Sequence, residues 1–162
     1  MNFEFSEEQN LLRDQAASFL ATKSPLAVAR RVLEGDESYD AGLWNQIAQL
    51  GWTATTIPDS YQGAGLGYLE LCVMAEELGR MLTPVPFSSS VYLASPALLQ
   101  FGSEAQKEAW LPRLALGKAI GCLAIAEGVG EVSPANISLT ERQGKLTGEK
   151  ILVPDGDFAD VA

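Results

Sequence analysis

The chain has 162 residues, a mass of 17.3 kDa and a hydrophobic fraction of 47%, enough for one buried core and the start of a second domain. A formal net charge of -10 excludes the basic surface that nucleic acid or an anionic membrane requires. The absence of histidine excludes His-based triads, His general bases and His–metal sites.

Cys72 and Cys122 lie in no metal or redox spacing, and their apolar neighbours predict two buried, reduced thiols. The opening MNFEFSEEQNLLRDQ carries acids in place of a basic stretch and an apolar run, so no signal peptide is expected. No run of eighteen apolar residues occurs, and a soluble, cytoplasmic protein without a membrane span is expected.

Ser6 and Gln9 form a capping-box pattern ahead of Leu11, Leu12, Ala16, Phe19 and Leu20 at helical spacing, which predicts a helix from about Glu7 to Ala21. Pro25, read as a first-turn proline, opens a short second helix to about Leu33. Asp40 caps a third helix with Leu43, Trp44, Ile47 and Leu50 on its apolar face, and Gly51 ends it. TIPDSYQGAGLGY is too rich in glycine for a helix interior and reads as a loop. Tyr68 opens a fourth helix, apolar on several sides and expected to be buried, which Pro84 and Pro86 terminate. SSSVYLASPALLQF, nearly without charge, predicts a central fifth helix. Ser103 and Gln106 repeat the capping box ahead of a sixth helix to about Leu116.

The pattern then changes. AIGCLAIAE, ISLTER and GKLTGEKILV read as strands, the last two on either side of a Gly144 turn. The expected architecture is mainly α: an orthogonal helical domain of about six helices over 1–117, then the first strands of an incomplete β-barrel-like domain over 118–162. Three such strands leave sheet edges and an apolar face uncovered, so a fragment, or a chain completed from elsewhere, is expected.

The stretches FEFSEEQNLLRDQAASFL, LWNQIAQLGWTATTIPDSYQGAGLGYLELCVMAEELGRML, LLQFGSEAQKEAWLPRLALGKAIGCLAIAE and GKLTGEKILVPDGDFADVA follow one another in an order that resembles the acyl-CoA dehydrogenase family. The resemblance covers that family's N-terminal helical domain and the first strands of its middle β domain. It implies a flavoprotein that uses FAD for α,β-dehydrogenation of an acyl-CoA thioester in fatty acid or steroid side-chain β-oxidation. It also implies a glutamate base in a C-terminal four-helix bundle, an electron-transfer flavoprotein as electron acceptor, and a homo- or hetero-oligomer of related subunits. Full-length members are more than twice as long as this chain, so the chain alone is expected to be inactive and none of its residues is assigned as catalytic.

The family motif xTEPxxGSD places flavin contacts at Leu123, Ile125 and Ala126, with Ala126 in the threonine position and Gly128 in the proline position. The GSD positions fall at about Glu131, Val132 and Ser133; an acid there repels phosphate, and Ser133 serves as a substrate contact if the loop shifts by one residue. The WITNG motif maps onto Leu152, in place of its tryptophan, and Pro154, in place of its threonine. Ala126 has no hydroxyl, and Pro154 has neither hydroxyl nor N–H. Two readings of the flavin site stay open: FAD held through the backbone of Leu123 to Ala126, or binding weakened or lost in this subunit. Val91, Ser95 and Leu98 on the fifth helix are candidates for the acyl pocket, against the plainer reading of core packing. Glu76 and Glu77 read as helix-pairing carboxylates, and Glu127 as a loop-shaping acid.

Three functions follow from these residues. The first is a divergent acyl-CoA dehydrogenase. The second is a non-catalytic or half-site subunit of a heteromeric one, as in members of the family that act on steroid-derived CoA esters. The third is a helical interaction module whose β edge docks a partner strand.

Overall fold

Ser6 starts the first helix through a reciprocal pair of bonds: its hydroxyl accepts from the Gln9 amide at 3.2 Å, and the Gln9 side chain accepts from the Ser6 amide at 3.0 Å. The computed structural model describes residues 4–130 and 132–162, and α1 runs Glu7–Lys23. The remaining helices are α2 (Leu26–Glu34), α3 (Ala41–Gln49), α4 (Tyr68–Arg80), α5 (Ser95–Phe101) and α6 (Glu104–Ala115), six α-helices among the described residues. Pro25 stands just before α2 as its cap residue, with extended backbone, and not in its first turn. The Asp40 carboxylate accepts from the Leu43 amide at 2.8 Å, and Gly51 leaves α3 at φ +80°, where a side chain would be strained. Ser103 and Gln106 close the second capping box ahead of α6.

α1 and α4 pack side by side and are joined by a bond from Gln9 Nε2 to Glu70 Oε1 of 2.8 Å. One core gathers Ala16 and Leu20 of α1, Leu43, Trp44 and Ile47 of α3, and Leu71, Met74 and Leu78 of α4. A second core collects Ala54 and Ile57 with Leu111, Leu114 and Ala115 of α6. Leu111 is fully buried there, so Leu111→Ala is expected to destabilise the fold by about 2–5 kcal/mol. Urea unfolding checks this as a lower midpoint at an unchanged slope.

Several expectations change. The fourth helix is buried on one side only: Tyr68, Leu69 and Cys72 are exposed, so Cys72 is not the buried thiol its neighbours suggested, whereas Cys122 is buried. Leu11 and Leu50 also turn to solvent. The fifth helix is composite. A π-helical segment, Ser88–Ala94, runs directly into α5, whose second residue, Pro96, cannot donate an i→i-4 bond. The end of α5 is not central, since Phe101 is 80% exposed.

The strands are shorter than expected. Among the described residues only β1 (Thr140–Arg142) and β2 (Lys145–Thr147) pair, antiparallel, around a turn at Gln143 and Gly144, both with positive φ. Residues 119–127 are extended without a ladder. Gly121 makes a single parallel bridge to Val161, and the Cys122 amide donates to the Val161 carbonyl at 2.9 Å. An extended run becomes a strand only where a neighbour pairs along it, and here Asp160 and Val161 bond it only at residues 120 and 122 and Ile151 only at Ala126. The molecule is therefore mostly helical with a short two-stranded sheet. No helix among the described residues is long and apolar enough to cross a membrane.

Candidate functional site

Glu127 ends the extended run and gathers the loop that follows. Its carboxylate accepts from the Ser138 amide (2.6 Å), the Ser138 hydroxyl (2.7 Å) and the Leu139 amide (3.0 Å). It also forms an ion pair with Lys150 at 2.7 Å. Lys150 Nζ donates to the Ile125 carbonyl at 3.0 Å as well, and the Ile151 amide donates to the Ala126 carbonyl at 2.8 Å. Residues 125–127, 138–139 and 150–151 are thus tied at one point. The Lys150 bond, then the Ser138 hydroxyl and the backbone amides, pull the Glu127 pKa down to about 2, so the group is a carboxylate at neutral pH and a poor proton acceptor. Glu127 shapes the loop. Glu76 and Glu77 are both bonded to Arg80 of the same helix.

The looped segment encloses a cavity of about 320 Å³ that brings together Ile125, Ala126 and Ser133 with Gly128 and Val129. Gly130 sits at φ +127° and needs to be glycine, whereas a Cβ on Gly128 would meet nothing within 4 Å. Glu131 lies outside the described residues. Among the described residues no hydrogen bond engages the amides of Leu123 to Ala126.

A second cavity, of about 210 Å³, lies between α5, α6 and the start of the extended run, and brings Leu98 and Leu123 together with Phe101, Leu114 and Val161. The Cys122 thiol faces the same space; burial first and then the Asp155 charge push its pKa up, which leaves it unreactive. Val91 and Ser95 are packed in the interior, 1% and 0% exposed, and Ser95 Oγ donates to the Ser90 carbonyl at 2.9 Å. Leu152 is 82% exposed at φ +53°, and Pro154 is exposed; neither lines these two cavities. Among the described residues no group of three or more Cys, Asp or Glu side chains is placed to hold a metal ion.

Sequence reasoning missed Lys150 and Ser138 as partners of Glu127. Lys150 gave the one usable signal, a cation directly before the apolar Ile151–Leu152–Val153 run. It also missed Ser89, Ser90 and Asp155, for which the sequence gives none.

A family model described as acyl-CoA dehydrogenase, N-terminal domain, matches residues 6–118. Mitochondrial isovaleryl-CoA dehydrogenase of Pongo abelii is 36% identical across 96% of the chain, and the chain spans 38% of that relative's length. Among solved structures, the ChsE4–ChsE5 complex from Mycobacterium tuberculosis aligns with a TM-score of 0.85 at 27% identity, over 99% of this chain and 44% of that one. Butyryl-CoA dehydrogenase from Megasphaera elsdenii aligns at 0.81 and 28%, over 99% and 45%. The helical order, the capped starts of α1 and α6 and the Glu127-tied loop occur in a chain that belongs to the acyl-CoA dehydrogenase family.

Proposed function

We propose that this chain supplies one wall of an FAD and acyl-CoA site in an enzyme that dehydrogenates acyl-CoA thioesters at the α and β carbons. The carrying observation is the amide edge from Leu123 to Ala126, which no described group engages. It is anchored at one end by Val161 and at the other by Ile151 and Lys150. It lies between the apolar cavity of Leu98 and the glycine-loop cavity of Ser133. On this reading residues 1–117 are the helical domain and 118–162 begin the middle β domain.

The residues fit FAD through their backbone. An isoalloxazine ring needs donors aimed at its polar edge, and alternate free amides between Leu123 and Ala126, which an extended backbone turns to the same side, would be such donors; the side chains of Ala126, Leu152 and Pro154 add none. When bound, FAD supplies the acceptor for the hydride that leaves the β carbon. The chain's own residues bind and orient. Leu123 and Ile125 would hold the flavin, the Ser133 hydroxyl would donate to a phosphate oxygen, and Leu98 with Phe101 would cover acyl carbons. Removal of the α proton is assigned to no residue here, because Glu127 is held as a weakly basic carboxylate and Glu76 and Glu77 are bonded to Arg80. An electron-transfer flavoprotein is the proposed acceptor, and related subunits the oligomeric partners.

The loss of hydrogen-bonding groups at Ala126 and Pro154 favours a second reading, in which this chain is the half-site subunit of a heteromeric dehydrogenase. A complex of two named proteins, ChsE4 and ChsE5, shares this fold, which supports that reading. Titration of FAD with the chain, followed by flavin fluorescence and co-elution, tests the first. Saturable quenching is expected, with no turnover of any acyl-CoA by the chain alone. No binding by the chain would leave the half-site reading, and turnover would overturn the assignment of no base.

A further inference from the structure

The π-helical segment carries two serines that are almost completely buried, Ser89 at 0% and Ser90 at 1% exposure. Buried hydroxyls are costly unless bonded, and each of these finds a partner in a different remote segment. Ser90 Oγ accepts from the Gly121 amide at 3.2 Å. The Ser89 hydroxyl lies between the Pro86 carbonyl, at 3.1 Å, and the Asp155 carboxylate, to which it donates. The contacts on both sides are tight. A Cβ on Gly121 would stand 2.5 Å from Ala94 Cβ, so the extended run begins pressed against the π segment. Asp155 takes up φ +57° beside Pro154, and its carbonyl accepts from the Ala159 amide at 3.1 Å. The tail beyond it is pinned by the stack of Phe158 on Tyr39, 4.9 Å between centroids, and by Asp160, whose carboxylate accepts from the Ile120 amide at 2.9 Å.

We propose that Ser89 and Ser90 are positioning residues: from one π-helical turn they hold both candidate flavin-bearing segments, the Leu123–Ala126 edge through Gly121 and the Leu152–Pro154 turn through Asp155. The inference rests on the flavin reading above and adds how that site is aligned. Consecutive side chains leave a helical turn in well-separated directions, about 100° apart in an α-helix, so two neighbouring serines reach different segments. The same turn precedes α5, so the amide edge and the Leu98 cavity take their spacing from one rigid element.

The test uses the full chain with Ser90→Ala, Ser89→Ala, Asp155→Ala and Asp155→Asn. Asp155 is only half-buried and stands outside the helical core, so its variants keep the test decisive if a serine variant fails to fold. Hydrogen–deuterium exchange is expected to speed up at least about tenfold at the bonded amides of Gly121 and Cys122 in Ser90→Ala and at those of 156–161 in Ser89→Ala and Asp155→Ala. Asp155→Asn is expected to restore protection, because its amide oxygen still accepts from Ser89. FAD affinity and the shape of the bound-flavin absorption band are expected to change in the three alanine variants and return in Asp155→Asn. Unchanged exchange at these segments would overturn the seam. Loosened segments with unaltered FAD affinity and band shape would overturn the positioning role. A wild-type chain that binds no FAD would sink the flavin reading and with it the positioning role, and exchange would still report separately whether the seam exists.

Discussion

Gly63→Ala is expected to be the most destabilising single-methyl change in the chain, costing about 4 kcal/mol or more, in the range reserved for a specific structural fault. An ideal Cβ at residue 63 would stand 1.8 Å from the Ile57 carbonyl oxygen, 2.3 Å from its carbon and 2.6 Å from Ile57 Cβ. None of these is the movable end of a side chain. Ile57 is itself fully buried in the second core, so it cannot retreat. The loop cannot retreat either, because its backbone is committed. The Gly63 amide donates to Pro58 at 3.0 Å, Ala64 to Ala54 at 2.9 Å, Gly65 to Ile57 at 2.9 Å and Leu66 to Thr55 at 2.7 Å. Relief of the clash breaks several of these bonds at once and opens the core around Ile57 and Leu111. Gly65→Ala is the matched control. It has no Cβ contact within 4 Å but sits at φ +61°, so it carries only the left-handed strain, about 1–2 kcal/mol. Urea unfolding of both variants decides the matter. A Gly63→Ala chain no less stable than Gly65→Ala would show that the close approach is not rigid.

The helices were legible because their ends are written in local chemistry. Ser6, Asp40 and Ser103 bond the amides three residues on, and Gly51 takes the left-handed exit. What was not legible depended on partners distant in sequence. The apolar run 119–127 has the composition of a strand, yet pairing is a property of two segments, and its contacts come from Val161 and Ile151. Cys72 has apolar neighbours at i±1, but those side chains point elsewhere on α4; the buried positions are 71, 73, 74, 77 and 78, and residue 72 falls outside that stripe. Val91, Ser95 and Leu98 look equivalent at a 3.6-residue period. The π segment shifts the register between them, leaving Val91 and Ser95 inside and turning Leu98 toward the cavity. The family motif positions could be located, but no pattern showed that Glu127 spends its carboxylate on Ser138, Leu139 and Lys150.

Glu127→Ala is expected to have the largest effect on the candidate site while sparing the helical cores. The substitution leaves the Ser138 amide and hydroxyl and the Leu139 amide without their acceptor, and the Lys150 ammonium without its ion pair. Charge-assisted bonds of this kind are the stronger class, and their loss here is offset only where water reaches the exposed Ser138 donors and the half-buried Leu139 amide. The loop from Gly128 to Leu139 should therefore come loose, and with it the cavity that holds Ile125, Ala126 and Ser133 together. The Leu43, Trp44 and Ile47 core of α3 makes no use of Glu127 and should be unaffected. Acid should reproduce the same loosening in the wild type. The folded pKa of Glu127 is depressed from 4.5 to about 2, so its stabilisation is fully present above the higher value. That stabilisation fades as pH falls between the two and is gone below about 2. Glu127→Gln removes the charge at every pH. Amide exchange at Ser138 and Leu139, corrected for intrinsic rates, should thus differ most between wild type and Glu127→Gln near neutrality, and the gap should close as the medium is acidified through that window. A gap that stays constant down to pH values near the folded pKa would mean that the loop is held by its backbone, and that the carboxylate is incidental to it.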